Sequence, residues 1–306
     1  MINGIINVYK EPGFTSHDVV AKLRGILKQK KIGHTGTLDP QAKGVLPVCL
    51  GNATRVSDIL TNKSKTYKVV GLLGVVTDTQ DIFGETLETN EVEVTEVRLE
   101  EAIESFIGPY DQLPPMYSAI KINGKKLYDY AREGKKVERK TRQVVIHNIE
   151  IIKIDLTSST FEMLVDCSKG TYIRTLIHDI GRVLGCGACM KDLIRTRTGD
   201  FFIDESKSLS EIEEISHNDK LDSILVRVDS LFPEYEEITI LKEYSKRIYN
   251  GNYFTSNHIK DFISSNKHDK VKVYDWQDKF IAIYQFDKNK DIYRPFKMFL
   301  EQDKWY

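Results

Sequence analysis

Three stretches of the chain are rich in β-branched and apolar residues and have the lengths of strands. They cover residues 66–76, 144–154 and 161–167, and the last two are separated only by a polar turn around Ser158. Two such stretches joined by a short polar turn predict antiparallel neighbours. We expect all three strands in one sheet, and this sheet is the element around which the rest of the chain must pack.

Helical patterns alternate with these strands. Residues 16–31 carry an apolar stripe with helical spacing, and Ser16 stands where an N-cap is expected. Residues 99–107 predict a short helix, and residues 172–184 a longer one that ends at Gly185 as its C-cap. The sequence therefore predicts the α+β class.

The length of the chain indicates two domains. Its 306 residues are about twice the usual domain size. After Pro233 the pattern changes to short strands over 270–274, 280–286 and 292–300, with a helix-like stretch over 241–249. We predict a large domain over residues 1–233 and a small β-rich domain over 234–306.

The composition excludes several classes of protein. Hydrophobic residues make up 41% of the chain, which is enough for a core and excludes a chain that is disordered throughout. No apolar run approaches the roughly 20 residues that a membrane-spanning helix needs. The first residues, MINGIINVYK, carry no secretory pattern, so the expected compartment is the cytoplasm.

The overall charge is nearly balanced, with 44 basic and 45 acidic residues, but its distribution is uneven. Residues 1–70 hold eleven basic residues against four acidic ones, and residues 121–142 hold nine against three, with Tyr128 and Tyr130 between them. Two basic stretches on a neutral chain are typical of a local contact with a polyanion. A solvated loop with internal salt bridges is the alternative.

The segment GHTGTLDP, residues 33–40, is the densest chemical signal. The proline after Asp39 disfavours helical geometry, so a loop presents the carboxylate. A simple turn-capping role for Asp39 is an alternative, because Asp-Pro is a common turn former. A phosphate-binding loop is another, but the segment lacks the GK[ST] and GxGxxG signatures.

The segment CSKGTYIR, residues 167–174, places an arginine at the start of the third predicted helix. The helix dipole disfavours a cation there, so Arg174 needs an anionic partner. A fixed carboxylate, a tRNA phosphate and an acidic surface residue all fit this requirement.

A CxxC pair at Cys186 and Cys189 is compatible with half a zinc site or a redox pair. The other two cysteines, Cys49 and Cys167, have no matching spacing. We therefore expect buried or unreactive thiols and no metal site.

The stretch GHTGTLDPQAKGVLPVCLGNATR resembles the catalytic motif of the TruB family of tRNA pseudouridine synthases. Four further stretches agree with that family in order: INVYKEPG (6–13), KTYK (65–68), PMYSAIKINGKKLY (115–128) and CSKGTYIRT (167–175). The resemblance covers roughly residues 1–199. It implies the pseudouridine synthase fold, which has a central mixed, mainly antiparallel sheet flanked by helices. The composition after residue 233 is similar to the small PUA-like RNA-binding domain often fused to these enzymes; a structural cap is the alternative.

The resemblance also implies roles for individual residues. Asp39 matches the catalytic aspartate, Tyr67 the tyrosine that packs on the target base, and Arg174 the arginine paired with that aspartate. Three more positions match substrate-binding or pocket residues: Lys10, His34 and Leu193. Residues 121–142 match a basic RNA-contacting insertion, in which the candidate contacts are Lys121, Lys125 and Lys126.

Family membership implies that uridine 55 in the T loop of tRNA becomes pseudouridine. This isomerisation has no net redox change, so we expect no cofactor. Asp39 could attack C1′ or C6 of the nucleotide or remove a proton from C2′, and Tyr67 could stack on the uracil or help remove the C5 proton. The expected partner is the T-stem loop of tRNA, with no protein partner or membrane, and the expected state is a monomer. A module that only binds and folds RNA is the competing function, but the presence of both Asp39 and Arg174 favours the enzyme.

Overall fold

The computed structural model describes residues 1–135, 137–260 and 269–300. Its strands are β1 (Gly4–Lys10), β2 (Ile32–His34), β3 (Lys43–Leu50), β4 (Lys65–Leu73), β5 (Val75–Thr77), β6 (Thr86–Thr89), β7 (Gly108–Gln112), β8 (Lys121–Ile122), β9 (Lys125–Lys126), β10 (Arg142–Asp155), β11 (Thr160–Cys167), β12 (Ala188–Thr198), β13 (Phe201–Phe202), β14 (Leu225–Val226), β15 (Glu236–Thr239), β16 (Lys270–Tyr274), β17 (Phe280–Asp287) and β18 (Ile292–Met298). Its α-helices are α1 (Ser16–Ile26), α2 (Ser57–Thr61), α3 (Glu96–Glu104), α4 (Leu127–Arg132), α5 (Ile173–Leu184), α6 (Leu209–His217) and α7 (Ser245–Tyr249). Lys136 of the predicted insertion and residues 261–268 and 301–306 of the predicted small domain lie outside the described residues.

The central sheet runs in the order β14-β1-β3-β12-β4-β11-β10-β7, with β2 paired to β3 and β13 paired to β12. Every pairing in it is antiparallel except the short parallel contact between β3 and β12. The predicted mixed, mainly antiparallel sheet is confirmed. The three predicted strands correspond to β4, β11 and β10, which are neighbours in that order.

Strand β4 is shorter than predicted because Gly74 turns the chain. Gly74 adopts a φ of +81°, and an added Cβ would lie 2.7 Å from the carbonyl oxygen of Asn90. Only glycine takes that conformation at no steric cost. Residues 75–77 consequently leave the central sheet and pair with β6 in a separate hairpin.

The first helix differs from its prediction at both ends. Thr15, not Ser16, is the N-cap: its hydroxyl accepts from the Asp18 N–H, and the Asp18 carboxylate accepts from the Thr15 N–H. This reciprocal capping box fixes the start of α1. Lys28, in the left-handed region at φ +50°, follows the C-terminus. The residues that were expected to complete the helix lead instead into the short strand β2.

Helices cover the sheet in two groups. Buried side chains of α3 and α5 pack on the part of the sheet formed by β4, β10, β11 and β12. Buried side chains of α1 and α6 pack on β1 and β3. Strand β1 is buried on both faces, since Ile6 and Val8 face these helices while Ile5 belongs to a different cluster. This explains why apolar residues stand next to each other in β1, as at Ile5 and Ile6, rather than strictly alternating with polar ones.

A second sheet, β15-β16-β17-β18, has its own core over residues 238–300. It also shares a core with the central sheet: Ile283 and Phe299 belong to the same cluster as Ile5, Val45 and Cys49. Hydrogen bonds reinforce the contact, since Asn52 donates to the Phe299 carbonyl and Arg55 to the Met298 carbonyl. The C-terminal sheet is therefore docked on the segment that follows β3.

Helix α5 approaches the sheet closely at a glycine. An added Cβ at Gly181 would lie 2.2 Å from the Ala188 backbone nitrogen, where β12 begins. The Gly181 carbonyl also accepts hydrogen bonds from the N–H groups of Gly185 and Gly187, which turn the chain from α5 into β12.

None of the described helices is long and apolar enough to span a bilayer.

Two helical glycines are expected to respond oppositely to alanine. Gly181→Ala should destabilise the protein by about 1–3 kcal/mol, because the new methyl group overlaps backbone atoms. Gly25→Ala, near the end of α1 with open space around it, should stabilise by about 0.5 kcal/mol through its better helix propensity. Thermal unfolding of the two variants measures both signs. Equal midpoints would contradict the close packing of α5 on β12.

Candidate active site

Asp39 lies in the loop between β2 and β3, and several contacts hold this loop. The Leu38 N–H donates to the buried Ser16 hydroxyl at 3.0 Å, and the Gly13 N–H donates to the Pro40 carbonyl at 2.9 Å. Thr61 donates its hydroxyl to the Thr35 carbonyl at 3.0 Å. The Asp39 side chain remains 39% exposed. The loop is therefore fixed while its carboxylate stays accessible.

Arg174 binds this carboxylate with two donors. Its Nε lies 2.9 Å from Asp39 Oδ2, and its Nη2 lies 3.1 Å from Oδ1. The remaining donors reach the carbonyls of Thr79 at 3.0 Å and Tyr117 at 2.8 Å. The guanidinium is only 6% exposed, and this fork geometry fixes the orientation of the carboxylate. Of the three partners that the sequence left open for Arg174, the structure has the carboxylate.

Lys10, at the end of β1, is fully buried, and its ammonium group binds carbonyl oxygens. Nζ donates to Phe14 at 2.6 Å, to Pro40 at 3.0 Å and to Glu11 at 3.1 Å. Burial lowers the pKa of Lys10 to about 8, against the attraction of Asp39, which raises it. Lys10 thus secures the residue directly after Asp39.

Tyr67 and Leu193 lie in the same buried cluster as Leu38, the residue before Asp39. Tyr67 is on β4 and Leu193 on the adjacent β12. Burial raises the pKa of the Tyr67 hydroxyl, and the charge of Asp39 adds to this rise. The phenol is therefore neutral at physiological pH, with its ring fixed beside the Asp39 loop.

His34 ends β2, five residues before Asp39. Its ring packs edge to face on the exposed His17 at 5.1 Å between centroids, and its Nδ1 accepts from the Gly36 N–H at 3.4 Å. Burial and the neighbouring His17 lower the pKa of His34. A neutral imidazole therefore stands at the entrance to the loop.

The basic insertion forms a small hairpin, β8-β9, followed by α4. Lys121 is exposed, while Lys126 donates to the Tyr128 hydroxyl at 2.8 Å. Lys125 pairs with Glu133 and lies over the Tyr130 ring. These lysines form no contact with Asp39 in the structure. The segment just before the insertion reaches the site, through the Tyr117 carbonyl that Arg174 binds.

Comparisons with known proteins agree with this arrangement. Residues 24–173 match the family model for the N-terminal domain of TruB family pseudouridylate synthases. Residues 174–232 match the model for the C-terminal domain of tRNA pseudouridylate synthase B. The first match contains the Asp39 loop and Tyr67, and the second begins at Arg174, so the ion pair joins the two matched regions.

Full-length relatives decide the family. A tRNA pseudouridine synthase B from Lachnoclostridium phytofermentans is 53% identical over 98% of this chain and 100% of its own length. Another from Staphylococcus saprophyticus is 45% identical over 98% of this chain and 100% of its own. The chain belongs to the TruB family of tRNA pseudouridine synthases.

Solved structures extend the TruB likeness to more distant proteins. The chain is similar to a protein in an H/ACA RNP bound to a substrate RNA, with a TM-score of 0.71 and 25% identity over 99% of this chain and 86% of that one. It is equally similar to a chain of a Cbf5-Nop10-Gar1 complex, at 27% identity and the same TM-score. The predicted pseudouridine synthase fold with a C-terminal β domain is confirmed.

The ionisation of Asp39 in this TruB site differs from simple expectation. A neighbouring arginine by itself lowers the pKa of a carboxyl. Although 39% of the side-chain surface stays exposed, protein atoms crowd around the carboxylate, and the resulting loss of hydration is the larger effect. It raises the pKa of Asp39, and the nearby Asp81 carboxylate raises it further. Arg174 and Lys10 lower it and so limit the rise.

Two charged residues near the TruB motifs were missed from the sequence. Asp81 lies in an acidic stretch of the sequence after β5, yet its side chain is only 14% exposed and lies 3.7 Å from Arg174 Nη1. Arg195, on β12, is fully buried among the strands beneath the loop. The position of Arg195 directly after the apolar pair Leu193-Ile194 was the available signal for the second residue; the sequence offered none for the first.

The cysteines of this TruB chain are free and buried. Burial raises the pKa of Cys189 to about 11, which makes its thiol unreactive at neutral pH. In the described parts of the chain, no three His, Cys, Asp or Glu side chains come together as metal ligands.

The protonation of Asp39 can be measured directly. In a titration followed by carboxyl-carbon NMR, Asp39 should titrate above its ordinary value of 3.8, because burial opposes its negative charge. Arg174→Gln should raise this pKa further by removing the cation that stabilises the anion. Arg174→Lys, which keeps a positive charge, should raise it less.

Asp18 is the internal control for this titration. It is exposed and accepts hydrogen bonds from Thr15, which lower its pKa, so it should titrate before Asp39 as the pH rises. The reverse order, or an Arg174→Gln variant with a lower Asp39 pKa, would contradict the electrostatics described above.

Proposed function

We propose that this TruB protein converts uridine 55 in the T loop of tRNA to pseudouridine, with Asp39 as the reacting carboxylate. The observation that carries the proposal is the two-donor ion pair between Asp39 and Arg174, which orients a carboxylate that remains exposed. The relatives named tRNA pseudouridine synthase B, aligned over nearly the full chain, support tRNA as the substrate.

The chemistry matches the groups that surround Asp39. The N1–C1′ bond of uridine breaks, the uracil turns, C5 bonds to C1′, the C5 proton leaves and N1 gains a proton, so atoms and electrons balance within the nucleotide. An ionised Asp39 serves each of the three open routes: attack at C1′, attack at C6, or removal of the C2′ proton. Arg174 favours the ionised form of the carboxylate, against the effect of burial, and holds it in one orientation.

Tyr67 is assigned to the uracil. Its phenol is buried beside Leu193 and Leu38, which fixes the ring next to the Asp39 loop, where the loose base must lie. Stacking needs only the neutral ring, which its raised pKa favours. Removal of the C5 proton by Tyr67 requires the phenolate, which burial disfavours, so stacking is the role better supported.

The substrate must unfold locally to reach the site. A uridine within the T loop is extruded from its stack at a cost of a few kcal/mol, and contacts to the RNA backbone offset this cost. We assign those contacts to the insertion lysines Lys121, Lys125 and Lys126, and the approach to the pocket to His34. A monomer acting in the cytoplasm, without a cofactor, completes the proposal.

The small domain over residues 234–306 is proposed to contact the tRNA away from the target base. Its shared core with the central sheet, through Ile283 and Phe299, makes truncation at Pro233 an unsuitable test. A truncated chain exposes that core and is expected to lose stability whether or not the domain binds RNA. Charge substitutions in the full chain separate RNA binding by this domain from its contribution to stability.

Asp39→Asn is the decisive variant. It keeps the size of the side chain and removes the charge, so release of tritium from tRNA labelled at uridine C5 should fall more than about 1,000-fold, a loss of about 4 kcal/mol in transition-state stabilisation. Binding of tRNA should persist, since the phosphate contacts lie elsewhere.

Asp192→Asn is the matched control. Asp192 is a surface acid on β12 whose partner is Lys43 at 3.1 Å, and its loss should leave tritium release within about twofold. If Asp39→Asn retained a tenth of the normal rate, Asp39 would be a turn residue. If the unaltered protein released no tritium from a T-loop substrate, the RNA-folding function would replace the enzymatic one.

The insertion lysines should differ in their contribution to tRNA binding. Lys121→Ala should weaken binding and reduce the slope of log affinity against log salt by about 1, with the rate at saturating tRNA unchanged. Lys125→Ala should have a smaller effect, because Glu133 already neutralises part of its charge. Lys220→Ala, on the exposed turn after α6, is the control and should change neither quantity. Equal slopes of log affinity against log salt for all three variants would show that the insertion lysines do not contact the tRNA.

A further inference from the structure

Arg195 lies where three strands meet. On β12, it is opposite Tyr67 of the antiparallel β4 and opposite Gly44 of the parallel β3. It is 1% exposed and among the largest fully buried side chains of the described residues. None of the ion pairs found within those residues includes Arg195, so its charge is buried without a carboxylate.

A buried, unpaired guanidinium is costly. Removing such an ion from water costs several kcal/mol unless hydrogen bonds compensate. Arg195 donates from Nε to the Val45 carbonyl at 2.7 Å and has a longer contact of 3.5 Å from Nη2 to the Gly36 carbonyl. A leucine or methionine would fill the same space without this cost, so general packing does not explain an arginine.

Those two carbonyls flank the Asp39 loop on both sides. Gly36 precedes Asp39 by three residues, and Val45 is in β3, directly after the loop. The backbones are also in close contact, because an added Cβ at Gly44 would lie 2.2 Å from the Arg195 carbonyl oxygen. Tyr67 is directly across the ladder on the other side. Arg195 therefore contacts the backbone before and after Asp39, and its own strand, β12, pairs with the strand that carries Tyr67.

We propose that Arg195 is a positioning residue for pseudouridine formation, which holds the Asp39 loop and the Tyr67 strand at a fixed separation. The carboxylate and the phenol ring then meet the extruded uridine together. This inference rests on the roles proposed above for Asp39 and Tyr67. Arg195 itself touches no substrate.

The chemistry of a guanidinium suits this position. Burial lowers the pKa of Lys10 to about 8 in the same region, and the charge of Arg195 contributes to that lowering. A lysine at position 195 would face the same loss of solvent, whereas an arginine remains charged. A guanidinium also offers several donors in one plane, so that it can reach two carbonyls in different directions.

The test is single-turnover tritium release with the full-length enzyme in excess over tRNA labelled at uridine C5. Arg195→Met should lower the rate constant about 100-fold, the scale expected for a displacement of reacting groups by about 1 Å. Arg195→Lys, which keeps one hydrogen-bond donor, should recover part of that loss. Affinity for tRNA should stay within about twofold, since Arg195 makes no phosphate contact.

Arg197 provides the matched control on the same strand. Its guanidinium is 28% exposed and pairs with Asp166 at 3.0 Å, away from the Asp39 loop. Arg197→Met should leave the rate constant within about threefold.

A Tyr67→Phe background serves as a second comparison. If Arg195 positions only the Asp39 loop, Arg195→Met has the same effect with Tyr67 or Phe at position 67. If Arg195 also positions Tyr67, the effect of Arg195→Met is smaller in the Tyr67→Phe background.

A purely structural role gives a different result. In that case Arg195→Met lowers the fraction of tRNA converted in the single turnover and the midpoint of thermal unfolding, while the correctly folded molecules react with the normal rate constant. This outcome would overturn the proposal. If Arg195→Met does not fold, Arg195→Lys decides, because a normal rate constant in that variant refutes positioning. Failure of the proposed function is recognised separately, by an Asp39→Asn variant that stays active while Arg195→Met does not.

Discussion

The ion pair between Asp39 and Arg174 joins parts of the chain that are 135 residues apart. Arg174 is in the first turn of α5, where the helix dipole opposes a cation, and it is nearly buried. The carboxylate compensates both costs, and the carbonyls of Thr79 and Tyr117 satisfy the donors that remain. The loop after β2, the β5-β6 hairpin, the segment just before the insertion and the start of α5 thus converge on one guanidinium.

The buried cations around this pair share a pattern. Lys10 and Arg195 bind backbone carbonyls rather than acids. Carbonyl dipoles compensate part of the lost hydration without cancelling the charge. The site therefore keeps a positive potential for a polyanionic substrate, although the chain as a whole carries a net charge of −1.

The sequence predicted what depends on local pattern. The β10-β11 hairpin and α5 with its glycine C-cap were recognised because alternation, turn residues and helical spacing are local signals. Strand β12 was missed, since bulges beside Asp192 and Arg197 interrupt its register and a charged residue stands in its core-facing positions. The sign of the Asp39 pKa shift does not follow from the sequence, because it depends on how much solvent the folded loop excludes. Motif resemblance identified candidate residues, but their partners Thr79, Tyr117 and Asp81 follow only from the tertiary structure.

The core shared by the two sheets has a consequence for the order of events during synthesis. Ile5 is synthesised 278 residues before Ile283, and Phe299 follows later still, although all three belong to the same cluster. At about 5–20 residues per second, the N-terminal strand waits many seconds for these partners. Until they arrive, one apolar face of β1 and β3 is uncovered. The nascent chain therefore exposes an apolar surface on these strands until Ile283 and Phe299 have been synthesised.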